Sequence, residues 1–476
     1  MEDRVLNGIE PEGVLRYFEE ICRIPHGSGN IEAISRYLAA WAEEKGFRYV
    51  REECGNVIVY ADATPGYGKE PGIILQGHMD MVAVQDSDCA KDMSAEGLDV
   101  FYDGNLIGAR GTSLGGDDGI ALAYAMAILS DKSIPHPALE AVFTVNEETG
   151  MDGAMALNPA LLKCRRLLNL DSEDEGIFLA GCAGGATLRI RLPLERKETA
   201  GSCYAVTVAG LRGGHSGTEI QKNRANAILL LGRVLRALQS QGIHTVAING
   251  GTKDNAIPTS AVATVRAENR PDVTVLEAEL KNVLTGKEDG FSLTVEEVKE
   301  SAMPLTPDSE QRLLQLLELL PFGVAAMSTL PGLVETSNNV GILHTDNAEA
   351  EIAVSVRSLI ESEKEALCAK IGTLAKLCGA AVTRHSEYPG WQYRAESPLR
   401  AKAIEAFREE YGREPLVETI HAGLECGLLL EKIPDMDALS MGPAIYDIHT
   451  TKERLDIASV KRTWSLLLRI LAKKDS

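Results

Sequence analysis

The chain has no CxxC pair, no surplus of basic charge and no long uncharged apolar run. Its nine cysteines (Cys22, Cys54, Cys89, Cys164, Cys182, Cys203, Cys368, Cys378 and Cys426) are odd in number and scattered. That spacing argues against a disulfide framework and a thiolate zinc site, and suits reduced thiols in a cytosol. Acids outnumber bases 69 to 48, a net charge of -21. The clustered Lys and Arg that a phosphate backbone demands are therefore missing, and nucleic acid is not an expected partner. No stretch is long and apolar enough to suggest a membrane span. The opening MEDRVLNGIEPEGV is acidic and lacks the basic region and apolar core of a signal peptide, so a cytoplasmic location is expected.

What is present is an ordinary globular composition, 45% hydrophobic and 25% charged over 476 residues. Single cores tend to split beyond about 250 to 300 residues, so two or more domains are expected. Early in the chain short apolar runs alternate with helical patterns, as in an α/β sheet. GIILQ (72–76), EAVFTV (140–145) and RLLNL (166–170) read as buried strands, and the Ala- and Leu-rich stretch from Asp118 to Ser130 reads as a buried helix with an acid at its start. After CAGGA the pattern changes: Leu188, Ile190 and Leu192 alternate with Arg189 and Arg191, the period of a strand with one wet face. Strand and helix patterns then continue to about residue 385, suggesting open-faced antiparallel sheets of one or two ferredoxin-like units. Beyond YPGW the α/β character returns and ends in an amphipathic helix from near Asp456. The expected organisation is an α/β domain of residues 1–185 and 389–476, interrupted by an inserted α+β domain of residues 186–388.

On that map the conspicuous polar residues fall at strand ends. His78 and Asp80 follow GIILQG, Glu147 and Glu148 follow EAVFTVN, and Asp171 follows RLLNL. In open α/β sheets functional sites gather at the carboxyl ends of strands, so these groups can converge. The glycine-rich GTSLGGDDG delivers Asp117 and Asp118 between them. Taken singly, an acid at a strand end is most often a turn former or helix cap. A lone histidine is most often a packing or surface residue, and His26, His136, His244, His344 and His385 are read that way. Three strand ends and one loop carrying ligand-type residues in one domain are a different matter. So many carboxylates would repel and desolvate each other unless a cation neutralised them. Histidine among carboxylates suits Zn, Mn or Co better than Ca or Mg. Two ions would match the number of acids, and His449 in GPAIYDIHTTKE offers a second imidazole.

These residues resemble the co-catalytic zinc peptidases that include carboxypeptidase G, peptidase T, peptidase V and aminoacylase-1. The resemblance rests on GHMDMV, GTSLGGDDGIA, NEETGMDGA, NLDSEDEG and the late histidine, and runs over nearly the whole chain. Within that family GLRGGHSG, GGTKDNAIP, VETSNN and HAGLECG are most similar to the aminoacyl-histidine dipeptidase branch. The resemblance implies a catalytic domain with a mixed sheet flanked by helices, and an inserted lid domain. It implies two Zn2+ per chain, with Mn2+ or Co2+ able to substitute: His78 and Asp171 on one, Glu148 and His449 on the other, and Asp117 bridging. Asp80 would orient the His78 ring, Glu147 would be the general base, and the Asp117–Asp118 bond would be cis.

From the inserted domain the same resemblance implies His215 as an oxyanion donor, Arg357 as the ligand of the substrate carboxylate, and Asn255 and Gly423 as pocket residues. Taken alone, His215 between glycines reads as a turn residue, and Arg357 as an outward residue of an alternating strand. Glu425 and His421 are placed near the substrate's amine or side chain by location only. The expected activity is hydrolysis of small unblocked dipeptides, aminoacyl-histidine dipeptides among them. Alternatives are an N-acyl-amino-acid deacylase or a tripeptidase on the same site, and a non-catalytic metal- or peptide-binding protein. An insertion of this size is large enough to supply His215 within one chain, and a homodimer is also compatible with the sequence.

Overall fold

The computed structural model describes residues 4–300 and 302–475. The chain divides into two compact units: 1–181, 393–419 and 424–476 make the first, 182–392 and 420–423 the second. The tetrapeptide Ile420–Gly423 joins the second unit because the Ala183 N–H donates to the carbonyls of Ile420 and Ala422.

The first unit is built on an eight-stranded mixed sheet. Its order is Arg48–Arg51, Val57–Ala61, Leu139–Thr144, Ile73–His78, Arg166–Asn169, Asp437–Ser440, Ile177–Cys182 and Leu416–Ile420. The middle four strands are parallel, with His78 opposite Thr144 and Gln76 opposite Asn169. Buried on both faces, the Ile73–His78 and Leu139–Thr144 strands have no exposed position, which is why their sequences do not alternate. The helix Gly116–Ser130 is buried on every side down to Leu129. Gly77 admits it: a Cβ there would lie 2.4 Å from Asp118 Oδ2 and 2.6 Å from the Ala121 Cβ. Asp117 and Asp118 have non-helical backbone angles, so the regular helix starts after them, and the bond between them is cis. The helices Glu12–Cys22, Pro398–Tyr411 and Ile457–Ala472 contribute to the same core.

The second unit contains two βαββαβ motifs. In one, strands Ser202–Ala209, His244–Gly250, Ala261–Ala267 and Ser292–Val298 alternate with helices Ala227–Leu238 and Thr274–Leu284. Their spatial order is fourth, first, third, second, all antiparallel, which is the ferredoxin-like order. In the other, strands Gly184–Pro193, Val334–Thr345, Glu349–Ser358 and Ala381–Tyr388 with helices Pro307–Leu319 and Glu361–Leu377 repeat that order. The two sheets meet edge to edge at the Gly250–Leu343 pair, so nine strands run as one sheet. Asn226 caps the helix of the first motif by accepting from the Ile228 and Leu229 N–H groups, a contact worth about 0.5 to 2 kcal/mol. All nine cysteines are free thiols. Among the described residues no helix is long and apolar enough to cross a membrane.

Candidate metal centre

Parallel register brings three strand ends of the first unit to one place. His78 closes its strand; its Nδ1 lies 2.9 Å from the Asp80 carbonyl oxygen and 3.6 Å from the Asp80 carboxylate. A carbonyl can only accept, so Nδ1 carries the hydrogen and the neutral ring keeps its Nε2 lone pair for other use. That Nε2 sits 3.1 Å from Asp117 Oδ1 and 3.3 Å from Asp171 Oδ1. The other oxygen of Asp117 lies 3.2 Å from His449 Nε2, which is 2.9 Å from Glu148 Oε1. Ligand atoms of His78, Asp118 and Asp171 lie within 4.8 Å of one another, as do those of His78, Asp117 and Glu148. Asp118 also accepts the His78 N–H at 3.1 Å, which pins the helix start to the strand end.

Asp80 does more than face His78. Its carboxylate accepts the N–H groups of Glu147 at 2.9 Å and Glu148 at 3.4 Å, and the Ser28 hydroxyl at 2.8 Å. Those contacts bind the end of the Leu139–Thr144 strand's loop to that of its neighbour. The Glu147 carboxylate, by contrast, hydrogen-bonds to no described residue.

The electrostatics show an excess of acid. Burial opposes ionisation of Asp171, Glu147 and Glu173; neighbouring carboxylates add to it, pushing Asp171 up to about 6, Glu173 to about 8 and Glu147 well above its usual range. Burial also opposes charging of His449, but Asp117 and Glu148 outweigh it and raise the ring to about 10. Against burial, Asp171 and Asp117 likewise hold His78 well above its ordinary value. Among the described residues the only basic side chains paired with these ligand-type acids are the two histidines. An imidazole–carboxylate set with surplus negative charge, buried except for the exposed His449, fits divalent cations of the zinc type.

Of the other expected residues, four lie in the second unit. His215 is on the short strand Gly214–His215, paired with Ala256–Ile257. Its Nδ1 accepts from the N–H groups of Gly217 (3.2 Å) and Thr218 (3.1 Å). Backbone N–H groups only donate, so the ring hydrogen sits on Nε2 and His215 is a donor there. Asn255, exposed, adjoins it in the register and accepts the Ser216 N–H on its backbone oxygen. Arg357 Nη1 donates to the Tyr388 hydroxyl at 2.7 Å, its Nε is buried without a partner, and no acid among the described residues pairs with it. Gly423 leaves room for the Tyr388 ring, since a Cβ would lie 2.6 Å from it.

Two residues placed near the substrate by location alone are both buried. Glu425, expected near a substrate amine or side chain, is 0% exposed and holds Gln76 and Thr144, each at 2.6 Å. Both bonds use Oε2, and Oε1 is buried without a hydrogen-bond partner. His421 is buried against the Ser337 hydroxyl at 2.7 Å. Glu453, Glu173 and Tyr388 were not singled out by the sequence. The one signal for them was proximity: Glu173 is two residues past Asp171, and Glu453 four past His449.

The model of Peptidase family M20/M25/M40 matches residues 74–473. The chain belongs to that family. It is 37% identical to the cytosol non-specific dipeptidase of Escherichia coli (strain K12), over 98% of each chain. It also resembles the solved aminoacylhistidine dipeptidase of Vibrio alginolyticus, with a TM-score of 0.85 and 35% identity over 100% of this chain and 99% of that one. At 18% identity the aminopeptidase PepT structure from Bacillus cereus, TM-score 0.57 over 98% of each chain, shares the fold. The M20 peptidase fold, an α/β mixed sheet flanked by helices, is thus the fold of this chain.

Proposed function

We propose that this chain hydrolyses dipeptides with a free N-terminus, aminoacyl-histidine dipeptides among them, in the cytosol. The observation that carries the reading is the divided carboxylate of Asp117, one oxygen facing His78 and the other His449. That division suits a bridge between two cations, His78 and Asp171 holding one and Glu148 and His449 the other. Two Zn2+, replaceable by Mn2+ or Co2+, would supply Lewis acidity there, lowering the pKa of a water and polarising a carbonyl. Names of the similar proteins from E. coli and V. alginolyticus, a cytosolic dipeptidase and an aminoacylhistidine dipeptidase, support the substrate class.

The chain's own groups then have separable tasks. Glu147, free of hydrogen bonds to the described residues, takes a proton from the attacking water and returns it to the leaving amine. His215, with its hydrogen on Nε2, donates to the developing oxyanion. Arg357, without an acidic partner, takes the substrate's terminal carboxylate in a forked pair. Asn255 and Gly423 line the same subsite, and Asp80 holds the Glu147 backbone and the His78 ring in place. Residues 1–185 and 389–476 are assigned the catalytic role and 186–388 the role of a lid.

A panel of free dipeptides, N-acetylated amino acids, N-acetylated dipeptides and tripeptides tests the assignment, assayed after chelation and re-addition of Zn2+, Mn2+ and Co2+. Turnover of free dipeptides that returns with metal is expected. Turnover confined to N-acetylated compounds would make the chain a deacylase, and preference for tripeptides a tripeptidase. No turnover of any compound with metal bound would make it a binding protein.

A further inference from the structure

Glu453 plays no part in the chemistry just described, yet it is only 2% exposed and carries an unusual load. Its Oε2 accepts the N–H groups of Leu114 at 2.8 Å and Gly115 at 3.1 Å. Its Oε1 accepts those of Gly116 at 2.8 Å and Asp117 at 3.3 Å. Four successive N–H groups can converge because Gly115 has φ +68°, which curls the backbone into an anion-binding concavity at the helix start. Gly116 permits the close approach, since a Cβ there would already be 3.3 Å from Oε1. A side chain at Gly115 would stand 2.8 Å from Met81 Sδ, so the loop is confined on its other side too. No Lys or Arg among the described residues pairs with the Glu453 carboxylate.

The same residue is tied to His449. The Glu453 N–H donates to the Thr450 carbonyl at 3.2 Å, the Thr450 hydroxyl donates to the Asp447 carbonyl at 2.7 Å, and the Lys452 N–H donates to that hydroxyl at 3.0 Å. Beyond it, Leu455 pairs with Ile107, which anchors the segment to a separate four-stranded sheet. One carboxylate thus joins the loop that bears Asp117 to the turn that bears His449, whose side chains face each other at 3.2 Å.

We infer that Glu453 is a positioning residue that sets the Asp117–His449 pair, and with it the second of the two cation sites; this rests on the dimetal reading above. Replacing it by Gln keeps the shape but turns an amide NH2 toward backbone donors, leaving N–H groups unpaired. Replacing it by Asp keeps the charge one methylene short.

The test titrates Co2+ into chelated wild type, Glu453→Gln, Glu453→Asp and His449→Ala, following the visible absorption and the heat of each equivalent. Circular dichroism and melting of the metal-free proteins run alongside. Wild type is expected to take up two equivalents. Glu453→Gln is expected to bind the first as wild type does and the second about 10- to 100-fold more weakly, with Glu453→Asp in between and His449→Ala lacking the second. Wild-type affinity for both equivalents in Glu453→Gln would overturn the inference. So would equal weakening of both equivalents together with a lowered metal-free melting temperature, which marks a purely structural cap. If Glu453→Gln does not fold, Glu453→Asp is read by the same criteria, and its failure to fold also overturns the inference. Uptake of a single equivalent by wild type would sink the dimetal reading first, and is recognised before any variant is compared.

Discussion

The Asp80 carboxylate accepts the backbone N–H of Glu147 at 2.9 Å, so the residue beside His78 also fixes the loop that bears the two adjacent glutamates. From that fixed point the pair diverges. Glu148 reaches His449 at 2.9 Å, while the Glu147 carboxylate is left without a hydrogen bond to the described residues.

This divergence separates the two by experiment. Glu147→Gln should lower dipeptide turnover roughly a hundred- to ten-thousand-fold, the usual worth of a general base, with Co2+ uptake unchanged. Glu148→Gln should instead weaken metal uptake. Steady-state kinetics paired with metal titration reads both, and a Glu147→Gln protein that turned over normally would remove it from the mechanism.

Chelation should abolish turnover and lower the melting temperature. Without a cation the acids around Asp117, Asp171 and Glu147 repel one another in a buried place. Ligand binding at a hundred times Kd stabilises a fold by about 2.7 kcal/mol per site. Calorimetric melting with and without Zn2+ measures it; identical melting curves would mean that no cation binds there.

Arg357→Lys should raise KM for dipeptides roughly ten- to a hundred-fold with less effect on kcat, because the planar fork is lost while the charge remains. Dipeptide amides, which lack the carboxylate, should be poor substrates of wild type and little affected by the change. A smaller effect in the same direction is expected for Tyr388→Phe, which frees Arg357 Nη1 from its partner. Equal losses on acids and amides would argue against carboxylate recognition.

His421 makes the fold sensitive to acid. Burial, helped by the positive charge of Arg357, depresses its pKa to about 3, against about 6.5 in an unfolded chain. Between those values the unfolded chain binds the extra proton. The stabilising contribution is therefore complete above about pH 6.5 and is lost as pH falls towards about 3, by about 1.4 kcal/mol per pH unit. Denaturant midpoints at pH 7, 6 and 5 should fall more steeply for wild type than for His421→Asn. Parallel slopes would show that the buried ring is not the sensor.

Much of the candidate centre was legible because parallel strands deliver their carboxyl ends to one edge. Three apolar runs followed by His78, Glu147–Glu148 and Asp171 need only lie side by side in register for their polar ends to meet. The ferredoxin-like character of the inserted segment was legible for a related reason, the alternation of the period of two with the period of 3.6, but that alternation did not distinguish one unit from two. The edge-to-edge joining of the two motifs was not legible, since the Gly250–Leu343 pair and the bonds of Thr345 to Ile248 and Asn249 that make it have no local signature. Nor was the burial of Glu425. An acid next to an apolar helix looks the same in a sequence whether it caps that helix or, as here, holds Gln76 and Thr144 from 349 and 281 residues away.

By itself the sequence determined which residue types stand at which strand ends, and hence that a concentration of imidazole and carboxylate had to be neutralised. Tertiary structure alone decided which oxygen faces which ring. Asp117 divides between His78 and His449, and Glu453 holds the loop between them, because partners 39, 332 and 336 residues apart meet only once the chain is packed. Local pattern specifies the chemistry of each group, but distances and angles between groups are set by the core that positions their backbones.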